Sequence, residues 1–134
     1  MSERRTFPSR PASVRAARHY AVETIGAAPQ SVLEALAIAV SELARNSILH
    51  AGTEFTVEID RTSERLRVEV FDLGRGVPEL RSPDATASSG RGLLLVRELS
   101  DDWGVNASDR QPGKSVWFEI RLTPTTGALQ DADL

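Results

Sequence analysis

Residues 55–72 read FTVEIDRTSERLRVEVFD and run on into LGRG at 73–76. Phe55, Val57 and Ile59 alternate with Thr56, Glu58 and Asp60. Beyond the polar stretch Arg61-Thr62-Ser63-Glu64, Leu66, Val68 and Val70 alternate with Arg67 and Glu69. A period of two sends successive side chains to opposite faces, so each run has one apolar and one wet face. Two such runs around a short polar turn predict an antiparallel hairpin covered on one side only.

Upstream of the hairpin the period becomes 3.6. Val14, Ala17, Ala21, Val22 and Ile25 predict a helix from Pro11 to about residue 26, ended by Ala27-Ala28-Pro29. Val32, Leu36, Ala39, Val40 and Leu43 predict a second helix from about Ser31 to Leu49, with Ser31 and Glu34 spaced as a capping box. A short extended piece, Arg4 to Phe7, precedes both. Downstream, residues 74–92 are rich in glycine, proline and small polar residues, too long a stretch for a simple connection. A helix from about Leu93 to Leu99 follows. Strands are then expected near Trp103–Ser108 and Val116–Leu122, around a turn at Gln111-Pro112-Gly113. The economical packing is a two-layer α+β sandwich, one mostly antiparallel sheet with its helices on one face. Residues 1–124 form a single domain in this reading, and 125–134 a frayed tail. Trp117 then falls on the open face beside Glu119 and Arg121, either as cross-strand packing or as a partner surface.

Composition narrows the function. The chain has 134 residues, enough for one core without staples, and no cysteine, which removes disulfides and zinc–thiolate sites. Sixteen basic against 19 acidic residues give a net charge of −3, which argues against direct nucleic-acid binding. Fifteen of those basic residues are arginine, and Lys114 is the one lysine. No apolar run reaches the length of a membrane span, and the start lacks the apolar core of a secretory signal. Its Arg-rich, acid-poor character also suits an organelle transit peptide, although the same segment reads as an integral helix. A cytoplasmic protein is the default expectation.

Three constellations carry possible chemistry. Glu42, Asn46 and His50 are four apart and stack along one side of the second helix, beside the buried Ala39 and Leu43. They are either a solvated helix edge or a site where Asn46 holds a hydrated Mg²⁺ and Glu42 positions a nucleophile. The hairpin's second strand runs into Asp72-Leu73-Gly74-Arg75-Gly76, where a strand-end carboxylate can accept from a ligand amino group and the glycines permit close approach. A plain glycine-rich turn explains it equally. Gly90-Arg91-Gly92-Leu93 marks the passage from loop to helix, where free amides and the helix dipole attract phosphate. Gly113-Lys114-Ser115 looks like the end of a P-loop, but Ser108 stands where that motif needs glycine and a strand follows in place of a helix.

The order and spacing of Glu42…Asn46, Asp72-x-Gly74-x-Gly76 and Gly90-x-Gly92-Leu93 resemble the N, G1 and G2 boxes of the GHKL (Bergerat-fold) ATPase superfamily. The resemblance spans about residues 30–122. Asn46 to Ala51, Gly90 to Val96 and Gly113 to Phe118 are similar to its anti-sigma-factor serine/threonine kinases. It implies ATP with Mg²⁺ under a lid at about 77–91. Asp72 would accept from the adenine amino group, and Asn46 would bind the metal. Gly74, Gly76, Gly90, Gly92 and Leu93 would line the nucleotide, and Ser115 would stand near adenine. Arg91, or else Arg75 or Arg81, would meet the terminal phosphate. Glu42 would be the general base, toward a protein hydroxyl or toward water, and His50 a helix-end residue. The implied partners are a STAS-type anti-anti-sigma protein, a sigma factor and a second copy of the chain. A non-catalytic partner-switching module is the alternative. The large extra domains of other GHKL branches are not expected in this reading.

Overall fold

The computed structural model describes residues 1–74, 88–107 and 112–122, and for 88–93 the backbone alone. In chain order the elements are β1 (Ser2–Phe7), α1 (Ala12–Ile25), α2 (Gln30–Asn46), a π-helical turn (Ser47–Ala51), β2 (Phe55–Arg61), β3 (Arg65–Asp72), α3 (Ser88–Leu99), β4 (Asp102–Ala107) and β5 (Lys114–Arg121). The strands form one sheet in the order β1-β2-β3-β5-β4, with every neighbouring pair antiparallel. The helices cover one face, as the alternation of the hairpin requires.

Register explains which residues meet them. Val57 opposes Val70 and Ile59 opposes Val68 across the hairpin. Val68 in turn opposes Phe118, and Leu66 opposes Ile120. All seven are buried, and they pack with Leu36, Ala39, Val40 and Leu43 of α2 and Ala17 and Ala21 of α1. Small residues on the inner faces of α1 and α2 let the two helices lie close against the sheet. At the end of α1, the Arg61 guanidinium reaches across from β2 to the carbonyls of Ile25 and Ala27, satisfying acceptors that the helix leaves free. On the open face, Arg67 lies 4.3 Å from the centre of the Trp117 ring and pairs with Glu119 at 3.2 Å. Trp117 therefore does sit on the uncovered side, and its indole occupies the space that a side chain at Gly104 would need.

Several boundaries differ from the sequence reading. β1 starts at Ser2, because antiparallel pairing with β2 extends its extended stretch to the chain start. The capping box at Ser31 and Glu34 does not form: α2 begins at Gln30 behind Pro29, with no side-chain cap. The α-helical path of α2 stops at Asn46, and a wider π turn carries the chain to Gly52, whose amide bonds Ser47 O and whose φ is +65°. α3 begins five residues earlier than expected, at Ser88, so Gly90 and Arg91 lie in its first turn and Gly92 and Leu93 in its second. Gly76, Arg75, Arg81, the lid up to residue 87 and the tail at 125–134 lie outside the described residues.

Candidate functional site

The inward face of β3 is apolar at Leu66, Val68 and Val70, and then carries Asp72. Asp72 is 4% exposed, so its carboxylate needs partners or a neutralising charge. The structure provides three. Ser47 Oγ donates to Oδ2 at 2.8 Å, the Gly74 amide donates to Oδ1 at 2.9 Å, and Lys114 Nζ donates to Oδ1 at 2.7 Å. An ionised carboxylate has about four acceptor positions, so one remains on Oδ2 among the described residues.

Local backbone geometry places each donor. The π turn after Asn46 swings Ser47 inward toward the end of β3; π-helical insertions of this kind often occur at functional sites. His50 lies within the same turn and is exposed, whereas Glu42 and Asn46 are half-buried. Lys114 opposes Asp72 directly in the β3–β5 register, which puts both on the helix-covered face.

Asn46 reaches the same corner from α2. Its Oδ1 is buried and has no hydrogen-bond partner among the described residues. A buried amide oxygen left unpaired costs about 1–3 kcal/mol, so a site that leaves it free needs an explanation. It lines a cavity of about 20 Å³ with Leu43, Val70, Asp72, Lys114, Ser115 and Val116. That space holds about one water, so a planar base must displace side-chain atoms to enter. Glu42, one turn earlier, is mostly covered and accepts from Arg45 at 3.0 Å.

Ser115 lies at the same cavity. Alternation along β5 turns its hydroxyl to the open face, where it donates to Glu69, while the residue itself still borders the cavity. The side chain next to the Asp72 carboxylate is Lys114. A Cβ on Gly74 would lie 2.6 Å from Ala51 Cβ and 2.9 Å from Lys114 Nζ. The protein's own atoms therefore already require glycine at that position. The side chains of Arg91 and Leu93 lie outside the described residues, as does Gly76.

Two participants escaped the sequence reading. Ser47 left no signal beyond its place after Asn46. Lys114 did leave one. The period of two through Val116, Phe118 and Ile120 puts residue 114 on the buried face, and a buried lysine is rare unless paired. Elsewhere, burial raises the Tyr20 hydroxyl above its ordinary range, with help from Glu3 and opposition from Thr24 and Arg5. It packs against Phe7, away from this corner. No helix among the described residues is long and apolar enough to cross a membrane, which does not address spans built from strands.

The arrangement offers a buried acceptor, a neighbouring ammonium and an unpaired amide oxygen around one cavity at the open end of a helix-covered sheet. A family model described as a histidine kinase-like ATPase domain matches residues 7–120. Among solved structures, the chain is similar to the histidine kinase domain of the blue-light activated histidine kinase from Erythrobacter litoralis EL346. The two share 24% identity with a TM-score of 0.50 over 87% of this chain. At that identity the likeness is one of fold, and this chain spans 62% of that one's length. No curated protein sequence matches it.

Proposed function

The chain belongs to the histidine kinase-like ATPase domain family, and from that premise we propose that it is an ATP-binding regulator of the anti-sigma-factor type. In this reading it is a serine/threonine kinase acting on a STAS-type anti-anti-sigma partner, and it sequesters a sigma factor in the alternative state. The family implies ATP binding. The observation that supports locating it here is the buried Asp72 carboxylate, fixed by Ser47 and Gly74 beside the unpaired Asn46 oxygen.

The residues present fit the ligand. Asp72 retains an acceptor position for an exocyclic amino group, which distinguishes adenine from a base presenting a carbonyl there. Asn46 Oδ1 is a hard oxygen ligand of the kind Mg²⁺ prefers. Bound Mg-ATP supplies the phosphoryl group and the counter-charge for its oxygens. Gly74, Gly76, Gly90, Gly92 and Leu93 line the nucleotide in this proposal, and Arg91 meets the terminal phosphate. Ser115, which borders the same cavity, stands near adenine in this proposal. Glu42 accepts the proton of the attacking hydroxyl, and Arg45 holds its carboxylate one turn from Asn46.

That same contact favours a second reading. A Glu42 carboxylate engaged by Arg45 suits a non-catalytic module, whose ATP-dependent shape alone selects its partner. Transfer of labelled γ-phosphate to candidate STAS domains separates the two. The kinase reading predicts transfer by the wild type, lowered at least about 100-fold by Glu42→Ala with ATP affinity retained. Undiminished transfer by Glu42→Ala contradicts the assigned base. Tight ATP binding without transfer to any partner selects the module.

A further inference from the structure

We propose that Lys114 is a base-reading residue of the nucleotide site, its ammonium donating to the ring nitrogen N1 of adenine beside the amino group that Asp72 accepts. The inference rests on the adenine-nucleotide reading above and adds a residue to it.

Lys114 occupies a row of β5 that is otherwise apolar inward, through Val116, Phe118 and Ile120. Its side chain is only 9% exposed, and its amine does not reach out to solvent as lysines on apolar surfaces usually do. Nζ turns instead to the cavity floor, bonded to Asp72 and resting against the Gly74 backbone. An ammonium has three donors, of which Asp72 engages one among the described residues. The cavity floor therefore presents an open acceptor position on Asp72 next to donors on Lys114.

That adjacency is complementary to the pairing edge of adenine, where an amino donor stands beside the N1 acceptor. A base with a carbonyl and a protonated ring nitrogen, as in guanine, reverses both groups. In the same pose it sets acceptor against Asp72 and donor against Lys114, so each contact becomes a repulsion. A counter-ion role alone is a weaker account of the residue. Buried ion pairs add little net stability compared with apolar residues, and the three rows below hold apolar pairs. The four-carbon stem of Lys114 also gives the ammonium freedom to yield room as a base enters.

The test compares ATP with 1-deaza-ATP, in which a C–H replaces N1, by calorimetry on the full chain. A hydrogen bond from a charged donor corresponds to about 10- to 100-fold in affinity. The wild type is expected to bind 1-deaza-ATP weaker than ATP by that factor. Lys114→Met should bring the two affinities within about threefold of each other. Lys114→Gln, which keeps a neutral donor and serves if the methionine variant does not fold, should show an intermediate gap. Equal affinities in the wild type overturn the proposal, as does a gap that neither substitution narrows. Failure of the wild type to bind ATP at all would instead overturn the site reading on which it rests.

Discussion

The inward-facing ladder of β3 and β5 has two ends built by one rule for different purposes. At one end Leu66–Ile120, Val68–Phe118 and Val70–Val116 face each other under the helices. At the other end the next row is Asp72–Lys114. The period of two is the same throughout, and so is the burial. Only the chemistry changes, from pairs that hold the layers together to a pair that keeps polar groups ready at the floor of a cavity. The first three rows can be understood from the fold alone. The fourth costs desolvation of two charges, and the fold would be served as well by another apolar pair.

Substitutions at the two ends should therefore separate stability from binding. The largest stability loss is expected from Phe118→Ala, about 3–5 kcal/mol in denaturant unfolding. ATP affinity of the folded fraction should stay within about twofold, because the apolar row and the cavity are independent sites. If affinity falls with stability, the division between the two ends is wrong. Gly74→Ala comes next. Its Cβ would sit 2.6 Å from Ala51 Cβ, so overpacking should cost about 1–3 kcal/mol and also weaken nucleotide binding as Lys114 is pushed aside. A stable variant with unchanged affinity would mean that the floor can yield freely. Ser47→Ala removes one hydrogen bond to Asp72 and should cost about 1 kcal/mol in thermal unfolding. It should reduce adenine selectivity over guanine, which competition binding would show. Smallest is Arg67→Ala on the open face, where partly exposed pairs with Glu119 and Glu69 contribute below about 1 kcal/mol and ATP affinity should not move.

The same contrast governs what could be read from the sequence. The apolar rows announce themselves: Phe55 to Ile59 and Leu66 to Val70 each alternate, and the helices repeat their apolar residues on one face. Hence the sheet, its helix-covered side and the open-face position of Trp117 were all legible. Elements ended by backbone geometry were less so. Gly90 and Gly92 disfavour helix, which hid the first five residues of α3 behind a loop-like composition. The π turn at Ser47–Ala51 has no residue signature, so Ser47's approach to Asp72 was invisible. Asp72 and Asn46 were picked out, and the structure brings them to one cavity. Ser115 borders that cavity too, and Lys114 beside it is the residue that the strand alternation places inward. A lysine at an inward strand position was the anomaly worth weighing.

The central claim is that an adenine nucleotide settles at the Asp72 end of the ladder. Titrating Mg-ATP into the isotopically labelled chain and following backbone amide shifts by NMR tests it directly. The account predicts saturable shifts concentrated at Asn46, Ser47, Leu73, Gly74 and Lys114, with Ile59 and Leu66 at the far end unmoved. Shifts clustered elsewhere, for instance along the outer surface of α1, or no saturable shift at all, would contradict it.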